Sequence, residues 1–232
     1  MLRILNFVMR LFFVFIIPLL FLHCTAKRVM SDTGYRYLAL GDSYTIGESV
    51  SREAGFPYQT VRLLKEKNIL FSEPQIIAKT GWTTAELISA INSASLNPPY
   101  DIVSLLIGVN NQYRGYSRQE YTSEFKLLLE KAIQLAGNRT NRVFVLSIPD
   151  WGSTPFAEGR NRELIAKEID EFNALNESIS KEQGVVYINI TPGSRDAVTD
   201  RSLVASDGLH PSGKEYAKWA SALAQAIESV IK

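Results

Sequence analysis

The sequence predicts an α/β fold, a three-layer α/β/α sandwich built on a five-stranded, parallel, doubly wound sheet. Two observations carry this. Short apolar runs alternate with amphipathic helical patterns along the chain, and several of those runs are apolar at consecutive positions, as expected for strands covered on both faces. The strand, helix, strand order repeats, which gives an open sheet with helices on either side.

The elements follow in order. Residues 37–40, 75–78, 102–107, 143–148 and 185–190 read as the strands. Phe125, Leu128, Leu129, Ala132 and Leu135 share one helical face; so do Ile165, Ile169, Phe172, Leu175 and Ile179, and then Tyr216, Trp219, Leu223, Ile227 and Val230. Thr83 with Glu86, and Ser117 with Glu120, have the spacing of a capping box. Gly137 and Gly184 stand where helices should stop. In such sheets ligands bind beyond the carboxyl ends of the strands, where Ser43, Gly81 and Asn110 all fall.

Before the first strand the chain is different. Residues 1–26 read as a signal peptide or N-terminal anchor: Arg3 and Arg10 flank apolar stretches, and the unbroken run 11–22 falls short of the ~20 residues that a spanning helix needs. Export is expected, to the cell envelope or beyond it. Cys24, the single cysteine, excludes an intrachain disulfide. Its place after the apolar run fits a lipidated cysteine, which would attach the N-terminus to a membrane; Phe21 and His23 differ from the small residues usual before such a site, and loss of Cys24 with the peptide, or an uncleaved anchor, stands as the other reading. Residues 27–34 form a polar tether, and 35–232 suit one domain by the prior of ~100–200 residues each. The net charge of +1, with acids and bases interspersed, lacks the footprint of a nucleic-acid binder.

The chemistry concentrates in Gly41-Asp42-Ser43 after the first strand and in Asp207-Gly208-Leu209-His210 before the last helix. A serine needs a base before it can attack a carbonyl, and the chain has two histidines. With His23 in the N-terminal segment, a serine hydrolase built on this chain would have His210 as its base, with Asp207 three residues earlier to orient it. Taken singly, each residue also has a bland reading, as a turn serine or a loop histidine. A zinc site is not expected with one histidine in the domain, the metal-binding hydroxyl of a P-loop is replaced by Glu215 after Lys214, and no cofactor is called for.

Four blocks, Gly41-Asp42-Ser43-Tyr44-Thr45, Thr80-Gly81, Gly108-Val109-Asn110 and Asp207-Gly208-Leu209-His210-Pro211, give the chain a resemblance to the SGNH or GDSL hydrolases, serine esterases and lipases with a flavodoxin-like sheet. The resemblance covers the domain from about Tyr35 onward. It implies Ser43 as nucleophile, His210 as base, Asp207 as its partner, and Ser43, Gly81 and Asn110 as oxyanion donors. Two positions depart from the pattern: Asn111 stands where Asp is frequent, which puts the pocket's electrostatics in question, and Thr80 stands where Ser or Asn is more usual. Trp82, Tyr113, Tyr116, Trp151 and Phe156 fall on loops expected to rim the site, Trp82 and Tyr113 as substrate contacts, and Arg114 adds a charge. The expected partner is a small-molecule, lipid or glycan ester. The contrasting reading is an envelope glycan- or lipid-binding protein that keeps the sheet without turnover.

Overall fold

A computed structural model describes residues 34–231. The expected signal peptide or anchor, His23, Cys24 and all but the end of the tether lie outside the described residues. Among those described, no helix is long and apolar enough to cross a membrane.

Five strands form one parallel sheet in the order β2-β1-β3-β4-β5, with β1 at Tyr37–Gly41, β2 at Gln75–Ala78, β3 at Ile102–Leu106, β4 at Val143–Leu146 and β5 at Val186–Ile188. Helices α1 (Ser43–Ile46), α2 (Phe56–Glu66), α3 (Thr84–Ser93), α4 (Val109–Tyr113), α5 (Arg118–Leu135), α6 (Arg162–Glu182), α7 (Thr191–Ser194) and α8 (Gly213–Ile231) connect and cover it. Helices α2 and α8 pack together, and α5 packs with both α3 and α6. The chain first moves outward from β1 to β2 and then returns past β1 to β3. The loops leaving β1 and β3 therefore diverge, and a crevice opens between them at the carboxyl edge.

The central strands β1, β3 and β4 are buried at every residue, as their largely apolar runs require, whereas the edge strands β2 and β5 are half-buried. Ser104 interrupts the apolar run of β3. Its hydroxyl is satisfied by Tyr37 Oη at 2.7 Å, a diagonal neighbour on the same face of β1. The helical stripes point inward as predicted: Phe125, Leu128, Leu129 and Ala132 of α5, Ile165, Ile169, Phe172 and Ile179 of α6, and Tyr216, Trp219, Leu223 and Ile227 of α8 are buried, with Leu135, Leu175 and Val230 packed at the margin. Thr83 and Glu86 form the full capping box, while Ser117 accepts from the Glu120 amide.

Three strands are shorter than the sequence predicts, β3 by a single residue, and for β4 and β5 side chains are the reason. The run 143–148 is strand only to Leu146: the Ser147 N–H still reaches the Ile188 carbonyl at 3.0 Å, and the side-chain amide of Asn173 on α6 then takes both backbone groups of Ile148, accepting from its N–H at 2.8 Å and donating to its carbonyl at 2.9 Å. The run 185–190 is β5 only from Val186 to Ile188. Val185 donates to the Ser180 carbonyl of α6, and the amides of Ile190 and Thr191 turn to Ser147 Oγ at 2.8 and 3.0 Å. The apolar pattern marks burial, and polar side chains elsewhere decide where the ladder ends.

Candidate active site

Ser43 is the first residue of α1, immediately past β1. Asp42 caps this short helix, its Oδ1 accepting from the Tyr44 N–H at 3.0 Å, so the chain turns sharply and leaves the Ser43 side chain at the sheet edge. Asp42 is fully buried and its Oδ2 has no partner within the described residues. Burial pushes its carboxyl up to about 7, against the hydrogen bond from Tyr44.

At the other end of the domain, Asp207 and His210 share one tight turn. Asp207 Oδ1 accepts from the backbone N–H groups of Leu209 and His210 at 2.9 and 3.0 Å, and Oδ2 lies 2.6 Å from His210 Nδ1. A second group reaches the same oxygen: Ser49 Oγ donates to Oδ2 at 2.6 Å. Burial works against the charge on Asp207, but the hydrogen bonds from Ser49, His210 and the two backbone amides outweigh it and hold the carboxyl well below the usual carboxylate range. His210 is 7% exposed, and its ring meets that of Tyr44 edge-on, with ring centroids 5.7 Å apart. The last helix begins at Gly213, so Pro211 belongs to the turn, where it bridges to Val204, rather than to the first helical position.

Ser43, Asn110 and His210 line one cavity of about 160 Å³, together with Tyr113, Trp151 and Phe156. Asn110 lies in α4, directly after β3; its Nδ2 donates to the Trp82 carbonyl at 2.9 Å, which leaves the second amide hydrogen for a ligand. Gly81 follows β2 with φ +85°, a conformation that favours glycine, and its carbonyl accepts from Arg114. Asn110 thus ties the cavity wall to the loop carrying Gly81, although neither Gly81 nor Trp82 is among the residues lining the cavity. Trp82 packs against the hydrophobic core. Tyr116 borders a separate depression with Gln112 and Phe172, and Arg114 pairs with Glu86 at 3.4 Å.

Asn111 is fully buried and turned away from this cavity. Its Oδ1 accepts from the Thr84 N–H at 3.1 Å, its Nδ2 donates to Thr84 Oγ1 at 2.7 Å, and the Thr84 hydroxyl in turn donates to Glu124. The side chain bolts α4 to the start of α3. Gly108, which precedes α4 at φ +130°, has no room for a side chain: a Cβ there would sit 2.7 Å from the Tyr121 ring.

Three features escaped the sequence. Ser49 has no motif around it. Arg160 lies over the rings of Tyr113, Trp151 and Phe156 at 5.4, 5.3 and 5.2 Å and donates to Tyr113 Oη at 3.3 Å. Gln112 accepts from Trp151 Nε1 at 2.8 Å and so fixes that ring at the cavity wall. The signal available for the last two was the run of aromatics after β3 and β4, which points to a wall but not to what holds it. Among the described residues no three His, Cys, Asp or Glu side chains are grouped as a metal site.

Comparison with known proteins gives a consistent picture. The profile of the GDSL-like Lipase/Acylhydrolase family matches residues 39–218. No curated protein sequence matches. Among solved structures, Axe2, an acetylxylan esterase from Geobacillus stearothermophilus, superposes with a TM-score of 0.63 at 18% identity over 84% of this chain and 94% of its own. TesA gives 0.66 at 14% identity over 84% and 98%. The psychrotrophic esterase EstA from Pseudoalteromonas sp., in a form inhibited by monoethylphosphonate, gives 0.63 at 16% identity over 84% and 98%. At these identities the likeness shows a common fold.

Proposed function

The chain belongs to the GDSL-like lipase/acylhydrolase family, and from that premise we propose that it hydrolyses a carboxylic ester through an acyl-enzyme on Ser43. The observation that carries the reading is the meeting of Ser43 and His210, from opposite ends of the domain, in one cavity.

With His210 Nδ1 committed to Asp207, Nε2 is the nitrogen left to face Ser43. It takes the hydroxyl proton as Oγ attacks the carbonyl carbon, and Asp207 holds the ring and offsets the charge of the imidazolium. The carbonyl oxygen becomes an oxyanion, with the Ser43 and Gly81 N–H groups and the free hydrogen of Asn110 Nδ2 as its donors. Collapse of the tetrahedral species breaks the ester C–O bond, and His210 gives its proton to the departing alcohol. Water, deprotonated by His210, then attacks the acyl carbon and releases the acid with Ser43 restored.

Tyr113, Trp151 and Phe156 form an aromatic wall that suits an acyl chain or a sugar face, so a small-molecule, lipid or glycan ester is the substrate class. Export belongs to this reading, with the N-terminus either attached through Cys24 or released. The Asn111 side chain, which departs from the family pattern, packs against Thr84 rather than in the cavity, so it lends the non-catalytic alternative no support.

A monoethylphosphonate-type serine probe tests the reading. One adduct is expected on Ser43, located by peptide mass, together with turnover of p-nitrophenyl acetate; Ser43→Ala and His210→Ala should each lower kcat at least ~10³-fold, since such groups act as a unit. An unlabelled protein that fails to turn over a panel of short p-nitrophenyl esters and acetylated sugars would refute it.

A further inference from the structure

We propose that Ser49 is a positioning residue for the base, acting through Asp207. The proposal rests on the reading of Asp207 and His210 as the acid and base above.

Gly47 caps helix α1, and the next two residues each reach into another loop: Glu48 accepts from Thr80 Oγ1, next to Gly81, and Ser49 donates to Asp207. Residues 47–50 therefore clasp both the loop after β2 and the turn that carries His210.

Ser49 sits at φ +65°, in the left-handed region, which strains a residue carrying a Cβ and not glycine. What sets Ser49 apart at such a position is the bond its hydroxyl makes to Asp207. Backbone strain of this sort collects at functional sites, held in place by surrounding contacts.

The contact made is specific. Asp207 Oδ1 is fixed by two amides of its own turn, whereas Oδ2, the atom that faces His210 Nδ1, receives its one further hydrogen bond from Ser49. The Asp207 side chain is 30% exposed, so without Ser49 water would compete for that oxygen and the carboxylate plane would loosen about its last torsion. His210 Nδ1 follows that plane, and with it the aim of Nε2. Among the described residues, what acts on the Asp207 carboxylate is burial and the hydrogen bonds from Ser49, His210 and the two backbone amides, while the nearby Tyr44 and Tyr216 are both kept neutral by burial.

Ser49→Gly separates the hydroxyl from the backbone, because it relieves the strained φ while removing the donor. Expected is a fall in kcat on p-nitrophenyl acetate of about tenfold, the scale of one hydrogen bond to a charged group, with KM within about twofold and a melting temperature at or above the parent's. In an Asp207→Asn background the same substitution should change kcat by less than about twofold, since the pair is then already broken. Parental kcat in Ser49→Gly overturns the proposal, and so does an equal loss in both backgrounds, which would place the effect elsewhere. If Asp207→Asn alone is as fast as the parent, it is the reading of the acid that has failed, and the proposal falls with it.

Discussion

The buried link from Asn111 to Thr84 and on to Glu124 makes Asn111→Asp an informative substitution, since Asp is frequent at this position in the family. In the native chain the donors of this link run in one direction: the Asn111 amide donates to the Thr84 hydroxyl, and that hydroxyl donates to Glu124. A carboxylate at 111 would keep the bond from the Thr84 N–H but could not donate. The Thr84 hydroxyl has one proton; if it stays with the half-buried Glu124, the introduced carboxylate faces a lone pair at a fully buried position. Taking about 3 kcal/mol for a buried charged group left short of a partner and about 2–4 °C per kcal/mol for a domain of this length, the melting temperature should fall by about 6–12 °C.

The pH dependence has a definite sign. Burial and the second carboxylate raise the introduced acid's folded pKa above its unfolded value of about 3.9. The penalty is therefore complete above the folded pKa and disappears below the unfolded one, so parent and variant should converge as pH is lowered toward about 4. Adding Glu124→Gln supplies the missing donor to Thr84 Oγ1 and should recover most of the loss at neutral pH. Thermal melts monitored by circular dichroism across that range are the assay. An Asn111→Asp protein melting within about 1 °C of the parent at neutral pH, or one that Glu124→Gln does not rescue, would refute this account of the link.

Two further outcomes follow from the site. The Asp42 carboxyl, pushed up to about 7 by burial, has a folded pKa above its unfolded one, so its contribution to stability is complete below the unfolded value and is lost as pH rises toward 7; Asp42→Asn should remove this decline, and parallel pH–stability curves for the two proteins would exclude it. Phe156, half-exposed at the cavity mouth beneath Arg160, should matter for the acyl group and not for the chemistry: Phe156→Ala is expected to raise KM about fivefold for p-nitrophenyl butyrate, on the scale of about 1 kcal/mol of partial burial, and to leave kcat on the acetate nearly unchanged, whereas a loss confined to kcat would remove Phe156 from the substrate wall.

The layers of the fold were legible because burial on both faces leaves runs apolar at consecutive positions, as in β1, β4 and, apart from Ser104, β3. The strand ends were not, because Asn173 and Ser147 claim the backbone groups of Ile148, Ile190 and Thr191 from other elements. The same division runs through the site. Asp207 and His210 declare their relation by a spacing of three in one turn, and Thr83 with Glu86 does so likewise. Ser49 meets Asp207 across 158 residues, Arg160 reaches Tyr113 across 47 and Asn111 reaches Thr84 across 27, with no local pattern to mark any of them. Chemistry that closes within a turn can be read from spacing. Chemistry that closes between loops depends on the strand order that brings those loops to one edge, so the groups that tune this site become visible only after the sheet is assembled.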